Sequence, residues 1–292
     1  MTAAGPGIRP SPAPGPAGDD GGSRRVLAAV ELDVVWEELG LGPTPVVLAL
    51  ASPGRTHTER RRIVADARAG LRHRGLAGPD GPEAGLARRL RLLAGAATGV
   101  EVRTWGPVTR RALVAGTPEG AVVALREGEA VTLGDAGSLP GAVVGVLPPV
   151  VAGSGRAANV PTAALAAALD RPSGAGLAVD LHGRGVPRDE AHLLARMLEG
   201  TSGRAEISAV AVDRWGARRR CPELLVVLDG PRGRYLLTGG ADGPWTTVAP
   251  TDTRRLRHRV AALLGARPPD QSRSSWRISC RLDSVIEPDS DG

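Results

Sequence analysis

The sequence predicts an α+β protein, with antiparallel sheets (or one continuous sheet) and helices packed on one face. Three observations carry this. The apolar period changes from 3.6 to 2 and back within each half of the chain. The period-two runs are joined by short Gly- or Pro-containing turns, which makes neighbours antiparallel. The order helix, several strands, closing helix occurs twice, which predicts a quasi-two-fold repeat of halves at about 25–169 and 187–265 joined by a Gly/Pro linker at 170–186.

The elements follow in order. Val26 to Val30 is a short apolar run leading into Leu32, Val35, Trp36 and Leu39, one helical stripe closed by Gly40. Trp36 lies on that stripe and is assigned to the core. Pro45 is read as opening a strand, Val46 to Leu50, before the turn Ser52-Pro53-Gly54. Thr56-His57-Thr58-Glu59 has the T-x-x-E form of a capping box. The helix behind it runs to about Arg74, with Ile63, Val64, Ala67 and Leu71 inward. A further helix after Pro82 carries Leu86, Leu90 and Leu93.

Val100–Trp105, Arg111–Ala115, Ala121–Leu125 and Ala130–Leu133 read as strands, and Ser138-Leu139-Pro140 caps the helix that closes this half. A break rich in Pro and Gly follows, then a short Ala-rich helix at Pro161–Leu169; beyond the linker Leu193, Leu194, Met197 and Leu198 form a helical stripe. Ile207–Asp213 and Leu224–Leu228 flank a polar turn around Trp215. Tyr235–Thr238 and Trp245–Val248 add two strands, and Pro250-Thr251-Asp252 starts the last helix. Residues 1–24 and 266–292 read as disordered tails. The first lacks the apolar run of a secretory signal, and nowhere is there a run of about 18 apolar residues that would span a membrane.

Composition narrows the chemistry. The chain has 292 residues, 42% hydrophobic, which is enough for a sizeable core. All 37 basic residues are Arg. Without Lys there is no Walker-type phosphate loop, Schiff-base chemistry or pyridoxal-phosphate site. The net charge of +6 leaves an Arg-rich nucleic-acid or anion-binding protein as the alternative function. GC-rich codon usage explains the Arg excess better, since Asn159 and Gln271 are the only side-chain amides and Phe is absent. Cys221 and Cys280 make neither a disulfide scaffold nor a zinc site, which suits a reducing cytosol.

The search for catalytic groups yields little. Gly153-Ser154-Gly155 followed by Ala158 matches a dinucleotide fingerprint in letters only, because no strand runs from it into a long helix. Asp180 and His182 form a D-x-H pair in the linker, a weak candidate. The remaining histidines, His57, His73, His192 and His258, sit on charged helices without metal-ligand spacing. No cofactor and no metal are expected. Among the Arg clusters, Arg218-Arg219-Arg220 stands apart, at the tip of a predicted hairpin beside Trp215. Arg and Trp together anchor many interfaces, so Trp215, Arg218, Arg219 and Arg220 are the candidate partner-binding residues. Trp276 is a second exposed Trp candidate, while Trp105 and Trp245, at strand ends, are expected to be half-buried.

Leu32-Asp33-Val34-Val35-Trp36-Glu37-Glu38-Leu39-Gly40 followed by Pro45 resembles the N-terminal signature of the EspG family, the cytosolic chaperones of type VII (ESX) secretion. Ser52-Pro53-Gly54-Arg55-Thr56 with Glu59-Arg60 fits the same pattern, as do Gly233-Arg234-Tyr235-Leu236 and Trp245-Thr246-Thr247-Val248-Ala249-Pro250. The resemblance spans about residues 26–265. It implies a mixed α+β fold with a quasi-two-fold repeat, and no catalysis. It also implies a cytoplasmic protein, monomeric or weakly dimeric, that binds the apolar tip of a secreted PE–PPE-like helical pair and delivers it to the secretion machine.

Overall fold

A computed structural model describes residues 24–117, 120–169, 176–212, 218–239 and 243–265. The expected tails, but for Arg24, lie outside the described residues, as do Trp215, Trp276 and Cys280.

The first half comprises β1 (Arg25–Ala28), α1 (Ala29–Glu38), a 3₁₀ turn (Val46–Leu48), α2 (His57–His73), a two-residue ribbon of β2 (Ala77–Gly78) and β3 (Gly81–Pro82), and α3 (Ala84–Gly95). The meander β4 (Thr98–Trp105), β5 (Arg110–Thr117), β6 (Gly120–Glu127) and β7 (Ala130–Ala136) follows, closed by α4 (Leu139–Val146). The second half repeats that order with β8 (Ala158–Pro161), α5 (Thr162–Leu169), α6 (Leu177–Gly183), α7 (Arg188–Leu198), β9 (Gly203–Val212), β10 (Arg218–Gly230), β11 (Gly233–Thr238), β12 (Trp245–Pro250) and α8 (Thr253–Gly265).

Ten strands form one antiparallel sheet in the order β1-β7-β6-β5-β4-β9-β10-β11-β12-β8. Each half therefore places its first strand at the outer edge, beside its last. The halves meet at the centre, where β4 pairs with β9, Glu101 opposite Ser208 and Arg103 opposite Glu206.

Helices cover both faces of this sheet, not one. The reason is visible in β5, where Ala112, Leu113, Val114 and Ala115 are all buried in succession. A strand apolar on both sides needs cover on both sides. On one face α4 and α8 pack over the middle, with Val143, Val146, Leu256 and Val260 against Val100, Val114, Ile207 and Val227. The other face carries two wings. Helices α1–α3 bury Leu32, Trp36, Leu86 and Leu90 against β1 and β5–β7. Helices α5–α7 bury Leu165, Leu181, Leu194 and Met197 against β8 and β10–β12.

Local chemistry fixes the ends. Thr56 Oγ1 accepts from the Glu59 amide at 3.2 Å, as the capping pattern predicts, while the Glu59 carboxylate reaches back to the Arg55 amide at 3.0 Å. Trp36 is 2% exposed, and its indole donates to the Gly42 carbonyl at 3.0 Å. Two expectations need correction. Val46 to Leu50 is not a strand. Val47 and Leu48 are both fully buried, which adjacent residues of a one-face strand cannot achieve. The chain instead turns through Ala49 at φ 47°, and Arg126 of β6 binds the carbonyls of Leu48 and Ala49. The linker 170–186 likewise contains α6, held by fully buried Leu181, and the second half starts before it, at β8 rather than at 187, because β8 pairs with β12.

Candidate protein-binding face

Between the two wings runs a lane along the sheet centre. On this face β4 contributes nothing to either wing's apolar cluster, and β9 contributes only Val210. Strand alternation places Glu101, Arg103 and Trp105 of β4 beside Arg204, Glu206 and Ser208 of β9. Glu101, Arg204, Glu206 and Ser208 are nonetheless buried. The charged ones are paired, as buried charge must be. Arg220 of β10 donates to the Glu101 carboxylate from Nε at 2.7 Å and also from Nη2. Arg204 pairs with Glu206, and its guanidinium lies 5.1 Å from the centroid of the Trp105 ring. Burial, the adjacent Arg220 and, less strongly, Arg111 pull Arg103 below arginine's ordinary pKa against the opposing pull of Glu101 and Glu206. It remains a cation at neutral pH, so the floor of the lane carries more positive than negative charge.

The candidate hairpin residues do not form one patch. Arg218–Arg220 belong to β10 itself, in register with Val212–Val210. Alternation turns Arg218 and Arg220 toward the winged face and Arg219 toward the face of α4 and α8. Arg218 Nη2 donates to the carbonyls of Leu93 and Ala94 at 3.0 and 3.3 Å, a cation on the last turn of α3. Arg218 and Arg220 therefore also hold the fold together, whereas Arg219 is exposed. Trp215 lies outside the described residues. Trp105 is half-buried as expected, but Trp245 is 57% exposed. Cys221 is buried, and that burial, with nearby Glu223, raises its thiol pKa and keeps it protonated.

The weak catalytic candidates take structural places. Asp180 and His182 sit two apart on α6, a spacing that points side chains to different sides, and His182 Nδ1 lies 3.1 Å from the Val186 carbonyl. A Cβ on Gly153 would lie 2.3 Å from the Tyr235 ring, whose hydroxyl donates to the Ser154 carbonyl. Gly155 has φ +107°. These glycines serve the packing of Tyr235 and a tight turn. Among the described residues no group of three or more His, Cys, Asp or Glu could hold a metal ion, and no helix is long and apolar enough to cross a membrane.

Glu101, Arg103, Arg204 and Glu206 are functional candidates that sequence reasoning did not single out. Their signal was polar residues alternating in two strands. It gains meaning only once β4 and β9 are known to be neighbours.

The fold and this lane define a two-winged protein built on a continuous antiparallel sheet, with an ion-paired central floor. The EspG family model matches residues 28–262, and the chain belongs to that family. Among solved structures it is similar to the Mycobacterium tuberculosis type VII secretion system chaperone EspG5, determined in complex with the PE25-PPE41 dimer. That match has a TM-score of 0.65 at 17% identity and covers 86% of this chain and 99% of that one, which establishes the shared fold. No curated protein sequence matches the chain.

Proposed function

We propose that this chain is a cytoplasmic, non-catalytic chaperone of type VII secretion that binds a PE–PPE-like helical pair. Family membership over residues 28–262 carries the reading. The similarity to a chaperone solved with such a pair supports it. The physics is suited to the task. A secreted helical bundle with an apolar tip would aggregate if left uncovered. Between the wings the lane is floored by ion-paired side chains rather than by either wing's apolar cluster. Its surplus of guanidinium groups complements the partial negative charge at helix C-termini, which the tip of a helical bundle presents.

The contact face in this proposal is the lane, with the end of the β9–β10 hairpin as its rim. Arg218 and Arg220 belong to it, exposed Arg219 extends it around the edge, and Trp215, outside the described residues, is added from the sequence alone. Client release at the membrane suits a standard-sized interface rather than an obligate one. The test is co-expression with a PE–PPE-like pair, followed by purification through the pair. Wild type should co-purify. Trp215→Ala and Arg219→Glu should fold normally and recover less pair. Equal recovery by both variants would remove the hairpin from the interface, and failure of every such pair to co-purify would remove the function.

A further inference from the structure

A second surface lies on the opposite side of the sheet. In the first half, α4 carries no charged residue along Leu139–Val146. Its counterpart α8 carries a row of arginines. Arg254, Arg255, His258 and Arg259 line one wall of a groove of about 530 Å³, whose floor is formed by Leu236 and Ala249 of β11 and β12. Among the described residues, Arg254, Arg255 and Arg259 make no ion pair, unlike most arginines of the first half. Asp252 is the carboxylate at the rim, and it is engaged by the Arg255 amide at 2.7 Å. Trp245 stands two positions from groove-lining Thr247 on the same strand, hence on the same face, and is 57% exposed. An aromatic and an apolar floor beside a cationic wall fit an acidic segment with interspersed aliphatic residues.

The chain contains such a segment. After Arg281 no basic residue occurs, while Asp283, Glu287, Asp289 and Asp291 alternate with Leu282, Val285 and Ile286. The reach is sufficient. Helix α8 has 13 residues and is about 20 Å long. Residues 266–281 can span up to about 50 Å when extended, more than the return to Arg254 requires. We propose that Leu282–Asp291 docks in the α8 groove of the same chain. Its carboxylates meet Arg254, Arg255 and Arg259, and its aliphatic side chains lie against Leu236, Ala249 and Trp245. The segment then covers this face while the winged face stays open to a client, so the proposal stands independently of the client's identity.

The experiment uses the full chain, isotope-labelled, with Cys280→Ser and Ser284→Cys carrying a nitroxide; native Cys221 is buried and protected from labelling. Paramagnetic broadening should be strong at the amides of Thr247, Ala249, Arg255 and His258, and negligible on α1–α3. Asp283→Asn/Glu287→Gln/Asp289→Asn/Asp291→Asn should abolish it, as should Arg254→Glu/Arg259→Glu and high salt, which screens the exposed charges. The tail variant leaves the folded core untouched, so the outcome is readable even where the groove variant is unstable. Broadening centred on Arg103 and Arg220 would overturn the proposal and place the segment on the winged face. So would broadening seen only between labelled and unlabelled copies, or broadening indifferent to the tail charges. Displacement of nothing by an added oligonucleotide that nevertheless shifts the groove signals would also overturn it, assigning the groove to nucleic acid.

Discussion

Replacing Glu101 with Leu tests the central lane most sharply. Glu101 is 8% exposed and receives two donors from Arg220, whose side chain is 22% exposed. It also offsets the charge of Arg103. Leu keeps the volume and removes the acceptor, so Arg220 and Arg103 face one another across the lane with one carboxylate fewer. Breaking a buried pair from one side costs about 3–5 kcal/mol. The partial exposure of Arg220 lets water reach it, which places the expectation near the lower bound, about 3 kcal/mol. The double replacement Glu101→Leu/Arg220→Met removes both charges and the repulsion on Arg103. It should recover most of the loss, because apolar substitutes for a buried pair are often neutral. Urea unfolding with an unchanged m-value is the assay. A single-variant loss under about 1 kcal/mol would refute the reasoning, because the pair would then behave as a surface contact. A double variant as unstable as the two single losses added together would refute it as well.

Other expectations follow from packing and capping. Trp36→Ala should cost about 3–5 kcal/mol in the same assay, whereas Trp36→Phe keeps much of the burial and gives up chiefly the bond to Gly42, about 1 kcal/mol; equal losses would contradict this. Gly153→Ala should lower the melting temperature, since its Cβ collides with the Tyr235 ring and overpacking costs about 1–3 kcal/mol; an unchanged melt would show that the ring can move freely. Burial opposes ionisation of Asp135, but Arg89 and Arg88 outweigh it and hold its pKa below the usual carboxylate value. A depressed folded pKa gives stability that is complete above the unfolded value of about 3.9 and is lost as pH falls through the folded one. Asp135→Asn should therefore flatten the acid limb of a stability-against-pH curve, and an identical limb would remove that contribution.

Much of the fold was legible because local signals agreed with tertiary packing. The stripe Leu32, Val35, Trp36 marked α1, and the T-x-x-E pattern marked the start of α2. The meanders announced themselves by period two and short turns. What escaped depended on distant partners. Val46–Leu48 has strand-like residues, yet the chain turns there, and the carbonyls of Leu48 and Ala49 go to Arg126, 78 and 77 positions away in sequence. The helix at Leu177–Gly183 was hidden by flanking Gly and Pro and is stabilised by burial of Leu181 rather than by propensity. The site was legible in part. Arg218–Arg220 stood out as a cluster, but a strand divides neighbouring residues between two faces. Only the pairing of β4 with β9 and of β9 with β10 shows that Glu101 and Arg220, 119 positions apart, share one lane.

The most direct measurement of the account is the binding isotherm of the full chain with a purified PE–PPE-like helical pair, recorded alongside light scattering of the pair alone. The expectation is saturable binding at about micromolar affinity or tighter, with scattering suppressed as the complex forms. A correctly folded chain that leaves both the heat signal and the aggregation of every such pair unchanged would contradict it.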